Sequence, residues 1–125
     1  MAIFDKLQQK ASGRFELLKA PGDQILAVAD TRQGMVPRFE KAEAFTLTVI
    51  RDGSKVQRQI MNMDGAPAEK AADILRDLKV DAVIAQSYMP RTYAQLKKLR
   101  IKMYTFDGGP NAAFKEYVKG NVKEL

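Results

Sequence analysis

The sequence predicts an α/β domain, a mixed five-stranded sheet with helices on its faces, and three observations carry that expectation. Strand-like and helix-like segments alternate over the second half of the chain, a pair of strand-like runs joined by Asp52-Gly53 precedes them, and 125 residues suit one domain with its own core. The expected division is an N-terminal amphipathic helix with its linker over residues 1–22, followed by a single α/β domain over residues 23–125.

Each element follows from its own pattern. Phe4, Leu7, Ala11, Phe15 and Leu18 recur at helical spacing and form one apolar stripe, with Lys6, Gln9, Lys10 and Arg14 turned away and Pro21-Gly22 ending the run. Such a helix either packs on its own domain or docks on a protein partner. Residues 24–29 (QILAVA) have the length and apolar character of a buried strand. Residues 44–50 alternate Phe45, Leu47 and Val49 with Thr46 and Thr48, and residues 55–61 carry Val56 and Ile60, so the Asp-Gly pair between them marks a hairpin. The second of these strands belongs at a sheet edge, where Lys55 and Arg58 discourage edge pairing.

Beyond residue 64 the period becomes helical. Asp64-Gly65-Ala66-Pro67 opens a segment with Ala68, Ala71, Ala72, Leu75 and Leu78 on one face. Residues 81–85 and 101–106 read as strands with a helix over residues 90–99 between them, and Pro110 opens a last helix that Gly120 stops. Strand-helix alternation calls for right-handed crossovers, so the first, fourth and fifth strands are expected to be parallel and the second antiparallel to its neighbours.

Composition narrows the chemistry. The chain has neither cysteine nor histidine, which removes disulfides, thiolate and imidazole metal ligands, thiol nucleophiles and the usual neutral-pH proton shuttle. Its net charge of +6 favours negatively charged partners: nucleic acid, phosphorylated metabolites or anionic metal clusters. No run approaches the roughly 18 consecutive apolar residues of a membrane span, and the N-terminus has no secretory pattern, so a soluble cytoplasmic protein is expected. Of the methionines, Met61 and Met103 fall on apolar strand patterns and belong to the core, whereas Met35 and Met89 fall on loops.

Ligands of open α/β sheets favour the C-terminal ends of parallel strands. Three loops leave such ends, over residues 30–39, 86–89 and 107–109, and the last two lead into helices whose free N–H groups can hold an anion. Gly108 and Gly109 allow close backbone approach, and Gln86 and Ser87 offer side-chain hydrogen bonds, although Gly-Gly-Pro also serves as plain turn chemistry.

The segments Met35-Val36-Pro37-Arg38-Phe39-Glu40-Lys41-Ala42 with Phe45, Val80-Asp81-Ala82-Val83-Ile84-Ala85 and Ile101-Lys102-Met103-Tyr104-Thr105 together resemble the dinitrogenase iron-molybdenum cofactor biosynthesis family over about residues 24–118. The resemblance implies a ribonuclease-H-like three-layer fold. It also implies a small protein that binds, stores or passes on an iron-sulfur or molybdenum-containing cluster, held non-permanently. This sequence departs from the family where Arg38-Phe39-Glu40 stands in place of His-Phe-Gly, and Gln86-Ser87 in place of the Gly-Gly of many members. A permanent cation thus replaces a neutral ligand, and Arg38 suits a polyanion or oxyanion through charge-assisted hydrogen bonds.

The candidate binding residues are Arg32, Arg38, Gln86, Ser87, Met89, Asp107, Gly108 and Gly109, with no catalytic residue among them. The expected function is that of a non-catalytic carrier or accessory protein for an anionic metal cluster or oxyanion. Two alternatives stay open: an interaction or regulatory module with a vestigial cluster site, and a nucleic-acid-binding or nuclease domain. Two-metal phosphodiester chemistry needs several converging carboxylates, and only Asp30 and Asp107 fall at the expected edge, since Asp81 begins its strand.

Overall fold

Six strands and three α-helices make up residues 19–125, the part of the chain that the computed structural model describes. The amphipathic helix expected over residues 1–19 lies, apart from Lys19, outside the described residues. The elements are β1 (Gln24–Asp30), β2 (Ala44–Arg51), β3 (Ser54–Asn62), α1 (Ala68–Asp77), β4 (Ala82–Ala85), α2 (Pro90–Lys98), β5 (Lys102–Thr105), α3 (Pro110–Val118) and β6 (Lys123–Glu124), with a 3-10 turn at Phe39–Lys41. The sheet order is β3-β2-β1-β4-β5-β6.

As the strand-helix order requires, β1, β4 and β5 are parallel, β2 is antiparallel to both its neighbours, and β3 is an edge. The sheet has six strands rather than the expected five, because β6 adds antiparallel to β5 through Tyr104↔Glu124 and Thr105↔Lys123. Backbone pairing alone holds this edge, helped by the Leu125 N–H donating to the Met103 carbonyl at 2.9 Å. In the β2–β3 hairpin Asp52 and Gly53 both take positive φ, +52° and +77°, as a turn of the type I′ geometry demands.

The helix starts and stops have local causes. Residues 64 and 65 form a left-handed turn (φ +51° and +78°), and Pro67 is the extended N-cap, so α1 begins one residue later, at Ala68. All three helices end alike: Val80, Ile101 and Asn121 donate N–H groups back to the carbonyls of Leu75, Leu96 and Glu116, across a left-handed residue at Lys79, Arg100 or Gly120. Val80 and Ile101 are buried, so the first two caps feed the chain directly into β4 and β5.

Tyr117 on α3 donates its hydroxyl to Gln24 Oε1 at 3.3 Å and meets Tyr104 edge-on at 5.2 Å, so α3 covers the sheet face that carries Leu26 and Val28. Right-handed crossovers put α1 and α2 on the opposite face. With both faces covered, Thr46 and Thr48 of β2 are buried along with Phe45, Leu47 and Val49. Met61 and Met103 lie in the core, as their strand positions suggest.

Ahead of β1, the buried Asp23 accepts hydrogen bonds from Arg51 Nε (2.9 Å) and Nη2 (2.8 Å) and from the Ala20 N–H (3.0 Å). The Arg51 hydrogen bonds, then that of Ala20, hold its carboxyl at about 2, below an ordinary value of 3.8. A depressed folded-state pKa gives stability that is complete above the unfolded-state value and is lost as pH falls through the folded one. The urea midpoint is therefore expected to drop between about pH 4 and pH 2. Asp23→Asn should start from a lower midpoint and lose that part of the acid dependence; an unchanged acid limb would show the pair to be inert.

Candidate functional site

The loop after β1 is built in two parts. In the first, Thr31 Oγ1 donates to the Met35 carbonyl (3.1 Å), the Gly34 N–H to the Thr31 carbonyl (2.9 Å), and the Arg32 N–H to Glu43 Oε1 (2.6 Å). In the second, the chain crosses the ends of the other two parallel strands. The Val36 N–H donates to the Gly108 carbonyl (2.7 Å), the Gln86 N–H to the Pro37 carbonyl (2.8 Å), and the Phe39 N–H to the Ser87 carbonyl (2.9 Å). Val36 and Phe39 are buried anchors on either side of an exposed Arg38. Phe39 packs between the rings of Phe45 and Tyr88, with centroids at 5.2 and 5.9 Å.

Tyr88 extends the anchor across the sheet. Its hydroxyl donates to the carbonyls of Val83 and Tyr104, at 3.1 and 2.7 Å, tying the α2 entry loop to β4 and β5. Burial pushes that hydroxyl well above the usual phenol range, so it remains a neutral donor.

The backbone contacts bring Arg38, Gln86, Ser87 and Gly108 to one edge, with Gly109 as the N-cap of α3 and Met89 as that of α2. The side chains of Arg38, Gln86, Met89 and Asp107 are exposed. Arg32 sits apart, lining a groove of about 490 Å³ with Asp30, Glu43 and Asp64, so carboxylates surround it. The glycines have a reason within the fold. A Cβ on Gly109 would lie 3.3 Å from the Gly34 carbonyl oxygen, and one on Gly108, where φ is +147°, 2.8 Å from the Phe106 ring. Gly109 thus permits the close approach of one loop to another, and Gly108 the folding of its own loop against Phe106.

Sequence reasoning missed Glu40. Its Oε2 accepts the Met89 N–H at 3.1 Å, at the N-cap of α2, and its Oε1 is buried with no partner among the described residues. The helix start expected to be free for an external anion therefore holds an internal carboxylate, which the helix dipole favours. The signal was the glutamate standing where the resemblance puts glycine. Both α2 and α3 begin with proline and have no side-chain cap and no acidic residue in the first turn, so it is Glu40 that distinguishes the start of α2.

For a metal cluster, the donor set decides what kind of holding is possible. Among the described residues no group of three or more carboxylate, cysteine or histidine side chains converges, and the soft donors at the edge are the thioethers of Met35 and Met89, each about half exposed. The edge instead offers a guanidinium, hydroxyl and amide donors, and backbone N–H groups, which fit hydrogen bonding to an anion better than coordination of a metal. Asp81 lies at the opposite edge, where its Oδ2 accepts the Ile25 N–H (2.8 Å) and pairs with Lys19 (3.0 Å).

Solved structures share this fold. The MJ0327 protein of Methanocaldococcus jannaschii aligns with 14% identity and a TM-score of 0.70 over 82% of this chain and 95% of its own. The Thermotoga protein TM1290 has 23% identity and a TM-score of 0.67, over 82% of this chain and 93% of its own. The apo form of the orange protein of Desulfovibrio gigas has 18% identity and a TM-score of 0.68, over 82% and 92%. No curated protein matches the sequence. No helix among the described residues is long and apolar enough to cross a membrane. A family model described as dinitrogenase iron-molybdenum cofactor matches residues 24–120, from the first residue of β1 to the glycine that ends α3, and the chain accordingly belongs to that family.

Proposed function

We propose that this protein is a non-catalytic cytoplasmic accessory protein of ribonuclease-H-like fold that takes up an anionic metal cluster, or an oxyanion precursor of one, as cargo at the edge where its three loops meet. The observation that carries the reading is the crossing loop: Arg38 stands exposed between two buried anchors, against the strand ends that carry Ser87 and Gly108. Family membership and the net charge of +6 support it. The cargo is held by charge and hydrogen bonds, with Arg38 as the principal donor and Gln86 and Ser87 beside it. Arg32, among carboxylates, and Asp107, an exposed anion, contribute less; Met89 and Gly109 contribute through their place at the helix starts.

Binding by charge has a signature. Tetrathiomolybdate and molybdate are expected to bind more weakly as sodium chloride rises and to bind almost equally between pH 5 and 8, because arginine does not titrate there. Spectral and calorimetric titrations measure both dependences. A second reading, an interaction or regulatory module with a vestigial site, is favoured by the Glu40 carboxylate already seated at α2. If neither anion binds the folded protein, that reading replaces the first.

A further inference from the structure

The α3 face of the sheet carries a polar feature that the loop edge does not use. Thr46 and Thr48 alternate toward this face because they pair with Val28 and Leu26. Thr46 is 4% exposed, and its Oγ1 is buried with no hydrogen-bond partner among the described residues. Valine would fill the same space without a polar atom, and a buried hydroxyl left unpaired is destabilising. The hydroxyl lines a small cavity of about 30 Å³, between β2, β3 and the start of α3, that Thr48, Lys55, Arg58, Asn111 and Phe114 also line.

The surroundings of that cavity have one sign. Lys55 and Arg58 are exposed on β3, and neither is ion-paired among the described residues. The first helical bond of α3 runs from the Ala113 N–H to the Gly109 carbonyl, which leaves the N–H groups of Asn111 and Ala112 without helical partners. Unpaired cations, free N–H groups at a helix start and an unpaired buried hydroxyl thus converge, with no carboxylate among the cavity-lining residues.

We propose that this is a second binding site, for a terminal tetrahedral oxyanion of the phosphate or sulfate type, either free or at the end of a small molecule. The cavity has room for about one water-sized group. One oxygen of the anion enters and accepts a hydrogen bond from the Thr46 hydroxyl, while the others stay at the mouth with Arg58, Lys55 and the α3 N–H groups. The site shares no side chain with Arg38, Gln86 or Ser87, and the start of α3 is what it has in common with the loop edge.

The test uses the full chain, 15N-labelled, with amide spectra recorded at low salt during titration with inorganic phosphate, with glycerol phosphate, and with sodium chloride at matched ionic strength. The amides of Thr46, Asn111 and Ala112 are expected to shift saturably with phosphate and not with chloride. Arg58→Gln should weaken binding about fivefold or more and the shape-preserving Thr46→Val about threefold, while Lys98→Gln, an exposed change at the far end of α2, leaves it unchanged. Equal binding of glycerol phosphate identifies a site open to monoesters, and binding of inorganic phosphate alone a site for the free anion. Shifts that follow chloride equally, or that persist at full strength in both Arg58→Gln and Thr46→Val, overturn the proposal. So does the absence of any phosphate-dependent shift, which leaves the Thr46 hydroxyl to a water molecule.

Discussion

Phe39→Ala is expected to lower the unfolding free energy by about 3–5 kcal/mol, the range for deleting a fully buried aromatic ring. The ring is 2% exposed and wedged between Phe45 and Tyr88, so its removal leaves a cavity that neither neighbour can fill without abandoning its own packing. The loss is not confined to the core, because the Phe39 N–H also joins the crossing loop to Ser87. Urea denaturation gives the stability change, and hydrogen exchange at Phe39 and Gln86 reports whether the loop has come loose. A loss below about 1 kcal/mol would mean that the loop is anchored by its backbone bonds alone. Arg38→Met, one residue away and exposed, should leave stability within about 0.5 kcal/mol of the parent.

That same Arg38→Met substitution is expected to weaken tetrathiomolybdate and molybdate binding by about 1.5–3 kcal/mol, roughly tenfold to 150-fold, the range for hydrogen bonds to a charged group. Arg38→Lys should lose less, since it keeps the charge and gives up only the planar fork. Arg38→His separates the two ways of holding a cluster. It places an imidazole where the resemblance puts one, and it should bring in a pH dependence near about 6.5. Isothermal titration of the four proteins at fixed ionic strength measures the series. Unchanged affinity in Arg38→Met would remove this residue as the anchor.

The parts of the fold that could be read from the sequence are those whose cause is local. The hairpin was legible because Asp52-Gly53 is a turn signal in itself, and the parallel strands were legible because helical and strand-like periods alternate. β6 was not, since Lys123 and Glu124 are exposed and join the sheet through backbone atoms, which leave no pattern in the side chains. The burial of Thr46 and Thr48 was likewise hidden: alternation of threonine with apolar residues does not say whether the threonine face is covered, and it is the return of α3 that covers it. The candidate site divides in the same way. The loops that approach one another follow from strand topology, so the meeting of Arg38, Ser87 and Gly108 at one edge was legible. Glu40 acts on Met89, 49 positions away; its standing where the resemblance puts glycine marks the residue but not the contact.

That glutamate gives the edge a resident competitor. An anion arriving at the start of α2 must either dislodge the Glu40 carboxylate or accept its repulsion. Dislodging it has a cost set by the protein alone, whereas the attraction of the +6 chain grows with the charge of the arriving species. On the proposed reading, this would select against monovalent anions and in favour of multiply charged ones. In such a carrier, release of the cargo would let the carboxylate return to the helix and leave no bare dipole behind.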